Sequence, residues 1–303
     1  MHAGPSPRLQ HNIYYVKFKP IYGKMAATEH NKYGPGYRAS QVKHHEWRTA
    51  ENSASHLLPR LQAMVKEKPQ LKLLDVGAGS GTISAGLAKY MPDGEVLATD
   101  LSDDILARAK EYADSHGVAN IKFQKASVFE LPFPDSTFDV THAHQVLCHL
   151  DTPSEAIREM LRVTKTGGVV SLRESEMGMW AVWPELPPLL HFVDMAAKVM
   201  VANGGQDKGG RQLLSWVLQA GVAREDITAS FGTWCYSQPE DKVVWAGAMS
   251  ERLRDGQMRE KAIERGLATQ DEIEGMIRAW DEWSKQDDAT LGIMNGEILV
   301  SKK

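Results

Sequence analysis

The 303-residue sequence is poor in cysteine and has neither a basic block nor a long apolar run. Its two cysteines, Cys148 and Cys235, are too few for a disulfide framework or a structural zinc site. The net charge of −4 does not indicate a nucleic-acid-binding face. No stretch approaches the roughly 20 apolar residues of a membrane helix, and the first residues lack a signal-peptide core. We therefore expect a cytoplasmic protein without a membrane span that does not bind nucleic acid.

The N-terminal region differs in composition from the rest of the chain. Residues 1–40 are rich in Pro, Gly, Tyr and Lys and show no periodicity, which indicates an arm. The arm could close as a lid over the functional site, make a dimer contact or remain a tail. Residues 41–303 form the predicted main domain. Helical spacing of apolar residues predicts one or two helices over 41–65, where Pro59 either opens the second helix or breaks the first.

From Lys72 onward, short apolar strands alternate with amphipathic helices. Five such strands are followed by two more, "ITASFGTWCYS" and "NGEILVSKK", after helical stretches. Alternation of this kind predicts an α/β fold with a doubly wound, mostly parallel, Rossmann-like sheet of seven strands. The helix "PSEAIREMLRVTKTGG" is expected to end at its glycine pair. Helical cap insertions are expected at about 177–207 and 239–290.

The segment "LLDVGAGSGTISAGL", which begins at Leu73, reads as a strand, a glycine-rich turn and a helix. Gly77, Gly79 and Gly81 allow the backbone to approach a ligand closely at the amino end of that helix. Asp100 ends the next strand, where a carboxylate meets ribose hydroxyls. These residues predict an adenosine cofactor but do not distinguish a nicotinamide from S-adenosylmethionine (SAM).

Four ordered segments distinguish the two cofactors: "LLDVGAGSG", "LATDLSDDILARAK", "LPFPDSTFDVTHAHQVLCHL" and "REMLRVTKTGGVV". The third glycine also comes one residue earlier than in the dinucleotide fingerprint. Over about residues 71–176 the chain resembles the class I SAM-dependent methyltransferases, in particular the ubiquinone/menaquinone-biosynthesis branch. The resemblance implies SAM as cofactor, S-adenosylhomocysteine as product and methyl transfer as the reaction. A SAM-binding protein that transfers no methyl group, or a nicotinamide oxidoreductase, is the alternative.

The resemblance also implies a cofactor pocket. Asp100 would bind the ribose of the cofactor. The adenine would pack on Leu101, and Ser127 and Val128 would flank its edge. Arg48 is a candidate for binding the methionine carboxylate, and a solvated or helix-pairing role is its alternative. The residues that would face the methionine portion are Asp75, Gly77, Ala78 and Gly79. His144 would lie near the sulfonium.

Candidate catalytic groups follow the fourth and fifth strands. His144 is a candidate general base or orienting group, with a structural role as its alternative. Glu174 and Glu176 could each act as a base or bind a polar substrate group, and an N-cap or a surface salt bridge is the alternative for both. Strand alternation puts His142 and His144 on one face. A metal site would need a third ligand, for which only Glu174 or Glu176 is available, and we expect no metal. His149 is expected to pack rather than to react.

The cap insertions carry many Trp and Met side chains, which are typical of pockets for apolar small molecules. Trp180 and Trp183 are not periodic and are the pocket candidates. Trp280 and Trp283 stand at helical spacing, which favours a place in the core. These side chains predict a small, largely apolar or aromatic metabolite as substrate, and the resemblance implies that its methylation is at carbon or oxygen.

Overall fold

The computed structural model describes residues 45–303, and the predicted arm of residues 1–40 lies outside the described residues. The strands are β1 (Lys72–Val76), β2 (Glu95–Asp100), β3 (Ile121–Lys125), β4 (Phe138–His144), β5 (Thr164–Trp183), β6 (Ile227–Tyr236) and β7 (Thr290–Ser301). They form one sheet in the order β3-β2-β1-β4-β5-β7-β6. Only β7 runs antiparallel to its neighbours in this sheet, so the expected mostly parallel sheet is confirmed.

The helices are α1 (Ala50–Ser53), α2 (Leu58–Glu67), α3 (Thr82–Lys89), α4 (Asp103–Ser115), α5 (Pro153–Val163), α6 (Pro187–Ala202), α7 (Gly209–Gln219), α8 (Pro239–Asp255), α9 (Gln257–Glu264) and α10 (Gln270–Lys285). Local sequence explains several starts. Pro59 stands in the first turn of α2 and so opens the second helix. The Ser102 hydroxyl caps α4 by accepting a hydrogen bond from Ile105 N. Thr269 and Glu272 form a capping box at α10.

Helices cover both faces of the sheet. Leu73 of β1 packs in a cluster with side chains of α1 to α4, whereas Leu74 packs in a cluster with α5 and α7. This alternation follows from the two-residue period of a strand. The two faces are therefore covered by different helices, so neighbouring residues of one strand contact different helices.

The expected end of α5 is wrong. The helix ends at Val163, and Thr164 to Gly168 are already part of β5. Thr164 is fully buried, pairs with Phe138 of β4 and donates its hydroxyl hydrogen to Met160 O at 2.7 Å. The buried position and the strand pairing override the helical pattern that precedes them.

The first cap region also differs from its expected start. Residues 177–183 continue β5, because Trp180 to Trp183 pair with Ile293 to Thr290 of β7. The pairing shifts between Ser175 and Trp180, where the strand is irregular. Helix α6 begins after this extension. The long β5–β7 ribbon therefore projects beyond the other strands and supports the cap helices.

Helices α6, α8 and α10 enclose a separate aromatic core with this ribbon. Trp280 and Trp283 are fully buried there, with ring centroids 5.4 Å apart, as the helical spacing predicts. Phe192 of α6 contacts Trp280 edge to face at 5.4 Å. No helix among residues 45–303 is both long and apolar enough to cross a bilayer.

The substitution Trp280→Ala tests how far the cap core stabilises the fold. Removing a fully buried indole should lower the free energy of unfolding by about 3–5 kcal/mol, because lost contacts and a cavity add. Phe231→Ala is the control, since its ring is 61% exposed and its loss should cost less than about 1 kcal/mol. Urea unfolding followed by circular dichroism measures both. Equal losses in the two variants would contradict the assignment of Trp280 to the core.

Candidate functional site

The turn between β1 and α3 lies against the loop after β4. Gly77 has φ of 68° and Gly79 has φ of 55°, a region that favours glycine. A Cβ on Gly77 would collide with Val146, whereas a Cβ on Gly79 would meet none of the described residues within 4 Å. Ala78 N donates to Thr99 O at 2.8 Å and so ties the turn to β2. The turn is closed toward β4 and leaves room for a ligand above Gly79.

The carboxylate of Asp100 joins the tip of β2 to this turn. Its Oδ2 accepts a hydrogen bond from Gly79 N at 3.1 Å, and its Oδ1 accepts from Leu101 N and Ser102 N at 2.7 and 3.2 Å. Burial raises the pKa of Asp100. A carboxylate has about four acceptor positions, so a further donor can still be bound. Gly79 and Asp100, which stand 21 residues apart, are thus in direct contact.

Asp75 lies beneath the turn rather than at its surface. Its side chain is buried, and Ser84 of α3 donates a hydroxyl hydrogen to Oδ2 at 2.5 Å. Burial raises the pKa of Asp75 to about 7. The sequence places Asp75 on the methionine side of the pocket, but the structure turns its carboxylate toward α3. It supports the turn from below.

The expected adenine-side residues come together at the tips of β2 and β3. Ala126 N donates to Asp100 O at 3.1 Å and so holds the following loop beside β2. In that loop, the Ser127 hydroxyl accepts from Phe129 N, and Val128 is buried. Leu101 is half buried next to Asp100. The structure therefore brings Leu101 and the loop that carries Ser127 and Val128 together at the tips of β2 and β3.

Arg48 reaches the loop that follows β4. Its Nη2 donates to Gln145 Oε1 at 2.7 Å, and its guanidinium carbon lies 5.0 Å from the centroid of the Trp234 ring. Gln145 has φ of 52°, which is uncommon for a residue with a side chain and is found at functional sites. Sequence reasoning missed Gln145, because a positive φ leaves no signal in a glutamine.

His144 begins a row of polar side chains across four strands, of which the first three are buried. His144, Arg173, Glu297 and Ser230 are paired in register on β4, β5, β7 and β6. Arg173 Nε donates to Glu297 Oε1 at 3.1 Å, and Ser230 donates to Glu297 Oε2 at 3.0 Å. Burial lowers the pKa of Arg173 to about 10, so it remains a cation near neutral pH. Its guanidinium carbon lies 4.6 Å from the centroid of the Trp234 ring.

The His144 ring is buried beside Trp234, with centroids 5.4 Å apart. Neither of its ring nitrogens has a hydrogen-bond partner within residues 45–303. Burial, followed by the charges of Arg48 and Arg173, holds the pKa of His144 well below its ordinary value. The imidazole is therefore neutral, and both the lone pair and the N–H are unused by the described part of the chain.

His142 lies on the same face as His144, as strand alternation predicts, but belongs to a different hydrogen-bond chain. Its Nδ1 lies 3.1 Å from Ser171 Oγ, which lies 3.0 Å from His56 Nε2. Burial lowers the pKa of both His142 and His56 to about 3. Across residues 45–303, no three His, Cys, Asp or Glu side chains are grouped so that they could hold a metal ion.

Glu174 lies on the opposite face of the sheet from His144. It is fully buried, and its carboxylate accepts hydrogen bonds from the backbone N–H groups of Val146, Leu147 and Cys148 at 3.1, 2.8 and 3.2 Å. Burial raises the pKa of Glu174 to about 7. Because both oxygens are engaged away from any open space, the structure argues against Glu174 as a catalytic base. Its carboxylate instead holds the loop after β4.

Glu176 is similarly occupied. Its carboxylate accepts from Arg211 N at 3.1 Å and pairs with the Arg211 guanidinium at 2.8 Å.

A cavity that is partly open to solvent lies over the ends of β4, β5 and β6. Its walls combine apolar, aromatic and nitrogen-bearing side chains. The main contributors are Arg48, Gln145, Cys148, His149, Met177, Trp180, Phe192, Val199, Met200, Trp234, Trp245, Met249, Arg252 and Met258, with His45 at one edge. Gln145 and Cys148 belong to the loop after β4, so this cavity adjoins the glycine turn.

Three sequence expectations are resolved at this cavity. Trp180 lines it, as expected. Trp183 does not: its ring is 56% exposed and its indole N–H donates to Asp288 at 3.2 Å, because the β5 extension turns it outward. His149 was expected to pack, yet it lines the cavity. Burial, then Arg48 and Arg252, lowers the pKa of His149 to about 4.

Two features define the class I SAM-binding fold. One is the glycine turn tied to an acidic residue at the tip of β2, and the other is the strand order 3-2-1-4-5-7-6 with an antiparallel β7.

Comparisons with known proteins agree with this fold. A family model described as a methyltransferase domain matches residues 67–205. An uncharacterized methyltransferase of Schizosaccharomyces pombe is 29% identical over 290 residues, covering 91% of this chain and 98% of that protein. The chain is thus similar to the class I SAM-dependent methyltransferases, and it is a methyltransferase whose cofactor is SAM.

Other relatives cover different lengths. A "probable methyltransferase", ltbC of Aspergillus luteorubrus, is 29% identical over 294 residues, covering 92% of this chain and all of that protein. The ubiquinone/menaquinone biosynthesis C-methyltransferase UbiE of Pseudomonas putida is 36% identical over 105 residues, covering 34% of this chain and 41% of that protein. The YcgJ structure from Bacillus subtilis superposes with a TM-score of 0.51 at 17% identity, covering 82% of this chain and 99% of that one. The last similarity shows the fold alone.

The buried Glu174 should make stability depend on pH. Its pKa of about 7 exceeds the ordinary carboxyl value, so the folded state holds the proton more tightly than the unfolded state. This stabilisation is present at acidic pH and is lost as the pH rises through 7. Between about pH 5 and 8, the wild type should lose roughly 2 kcal/mol more than Glu174→Gln.

Urea unfolding at a series of pH values measures the difference. Glu185→Gln is the matched control, because Glu185 is exposed and should leave the wild-type pH slope unchanged. If Glu174→Gln keeps the wild-type slope, Glu174 does not titrate in this range.

Proposed function

We propose that this methyltransferase transfers the methyl group of SAM to a carbon or oxygen of a small, largely apolar or aromatic metabolite. The observation that carries the proposal is the cavity lined by Trp180, Trp234 and Trp245 next to the glycine turn. Flat apolar walls with a few polar groups are typical of sites for such molecules. The cytoplasmic location expected from the sequence stays a prediction.

The residues around the turn fit the cofactor. There is open space for a ligand above Gly79. The carboxylate of Asp100 is able to accept hydrogen bonds from ribose hydroxyls, and the Arg48 guanidinium is a cation suited to the carboxylate of SAM. We assign Gly77, Ala78 and Gly79 to its methionine portion, with Arg48 at the carboxylate. Leu101, Ser127 and Val128 would contact the adenine. SAM supplies a methyl group activated by a positively charged sulfur.

The chain's own contribution to methyl transfer is alignment and exclusion of water. Gln145, held by Arg48 and by its backbone N–H to Arg173 O at 2.8 Å, would present the loop after β4 to both ligands. Trp234 would provide a flat surface for the acceptor between the two guanidinium groups that contact it. Neutral His144, with no described hydrogen-bond partner, is the proposed proton acceptor or orienting group.

A transfer assay tests the function. Protein incubated with SAM labelled in its methyl group and a fractionated metabolite extract should move label into an apolar or aromatic product. If S-adenosylhomocysteine binds but no fraction accepts label, the chain is a SAM-binding protein without transferase activity on small molecules.

Asp100→Asn tests the proposed ribose contact. Loss of a buried charged acceptor should weaken the binding of S-adenosylhomocysteine by about 1.5–3 kcal/mol, which raises its Kd roughly tenfold to more than a hundredfold. Calorimetry measures the Kd. Asp104→Asn, an exposed change in the first turn of α4, is the control and should bind normally. Unchanged affinity in Asp100→Asn would remove Asp100 from the cofactor site.

His144→Ala tests the proposed base. Turnover in the transfer assay should fall by roughly 100-fold, because the proton acceptor is lost. Binding of S-adenosylhomocysteine should be nearly unchanged. His116→Ala, at an exposed position after α4, is the control. Full turnover in His144→Ala would assign His144 to packing beside Trp234.

A further inference from the structure

The loop after β4, residues 145–149, lies between the glycine turn and the cavity. On one side, Val146 is packed so closely against Gly77 that a Cβ on that glycine would collide with it. On the other side, Gln145 and Cys148 are part of the cavity wall. One short loop therefore contacts both the proposed cofactor site and the proposed acceptor site.

The same loop is bound to the cap. Cys148 O accepts a hydrogen bond from Gln206 N at 2.7 Å, and the side-chain amide of Gln206 donates to Leu150 O at 3.3 Å. Gln206 follows α6, the helix that supplies Phe192 and Val199 to the cavity wall. A displacement of the loop would therefore act on the glycine turn and on the cap at the same time.

Glu174 holds the loop from the opposite face of the sheet. Its buried carboxylate accepts hydrogen bonds from three consecutive backbone N–H groups, those of residues 146–148. The preceding N–H, that of Gln145, donates to Arg173 O at 2.8 Å. Hydrogen bonds to an ionised acceptor are stronger than those between neutral groups. Strand β5 therefore fixes four successive peptide groups, and one carboxylate fixes three of them.

A loop that is shared by two sites links the binding of their ligands. A ligand that restrains the glycine turn also restrains Val146, and so it contributes part of the free energy needed to order the loop. A second ligand, bound against Gln145 and Cys148, then meets a loop that is already ordered. The coupling is reciprocal, because each ligand must change the affinity of the other by the same factor.

We propose that this loop couples the binding of SAM to the binding of the methyl acceptor, and that Glu174 is the positioning residue on which the coupling depends. The inference rests on the proposed role of the cavity as the acceptor site. Glu174 contacts neither ligand and acts through the three N–H groups that it binds. Each ligand raises the affinity of the protein for the other.

An uncharged fluorescent probe, N-phenyl-1-naphthylamine, tests the coupling in the full chain. Its Kd is measured by fluorescence titration without S-adenosylhomocysteine and again at saturation with it. The wild type should bind the probe about fivefold or more tightly when S-adenosylhomocysteine is present. Calorimetry of S-adenosylhomocysteine with and without saturating probe should give the same factor.

Glu174→Gln keeps the size of the side chain but replaces one accepting oxygen by an NH2 group, which cannot accept a hydrogen bond from an N–H. The coupling factor should fall below about twofold, because the loop is no longer fixed at residues 146–148. Glu176→Gln is the matched control. Glu176 is a buried carboxylate on the same strand, but its hydrogen bonds go to Arg211 of α7. Its variant should keep the wild-type factor.

Val146→Ala tests the other end of the same path. It removes the side-chain methyl groups that are packed against Gly77 and leaves the carboxylate of Glu174 in place. The coupling factor should fall in this variant as well, although the hydrogen bonds of the loop are retained. Val146→Ala therefore tests the proposal even if Glu174→Gln does not fold.

A wild type whose probe Kd is unchanged by S-adenosylhomocysteine would overturn the proposal, as would wild-type coupling in Glu174→Gln or Val146→Ala. An equal loss of coupling in Glu176→Gln would assign the effect to general destabilisation and would also overturn it. A wild type that does not bind S-adenosylhomocysteine, or that binds no probe, would contradict the proposed function and this inference with it. Loss of coupling alone leaves the proposed function standing.

Discussion

The buried ion pair between Arg173 and Glu297 is the interaction on which the site side of the fold depends. Arg173 is 1% exposed and Glu297 5%, so neither charge is hydrated and each needs the other. The pair joins parallel β5 to antiparallel β7, and Ser230 extends it to β6. Because β7 lies between them, β6 runs parallel to β5 and sends α8 to the cofactor edge of the sheet. The Arg173 guanidinium also stacks on Trp234, so the same charge that joins the strands supports a wall of the cavity.

The sheet divides the chemistry of this protein between its two faces. His144 and Arg173 lie on the face covered by α1 to α4, where Trp234 and Arg48 meet. Glu174, one residue after Arg173, lies on the face covered by α5 and α7 and binds three backbone N–H groups. That carboxylate sets the conformation of the loop carrying Val146, against which Gly77 is packed. Glu174, a candidate base from the sequence, thus holds the loop against which the glycine turn packs.

Features that depend on neighbouring residues agree with the sequence pattern, whereas features that depend on distant residues differ from it. The glycine turn and the place of Asp100 at the end of β2 depend on short stretches of sequence, and the sequence pattern predicted both. The resemblance implied that Asp75 faces the cofactor, and the expected place of Glu174 at the end of a strand made it a candidate base. Neither signal shows which way a buried carboxylate turns. Gln145 and Arg252 carried no motif. They reach the cavity because the left-handed residue Gln145 follows β4 directly and because α8 returns over the sheet.

By itself, the sequence determined the fold class, the SAM-binding turn and the aromatic character of the cap, because strand and helix periods and glycine backbone freedom act over a few residues. Tertiary structure alone decided which groups share the cavity. Arg48 and Arg252 are 204 positions apart in the chain, and both lower the pKa of His149. Such long-range proximity depends on sheet order, on the β5–β7 ribbon and on the burial of Arg173 with Glu297. None of these leaves a periodic signal, since each is a contact between segments that are distant in the chain.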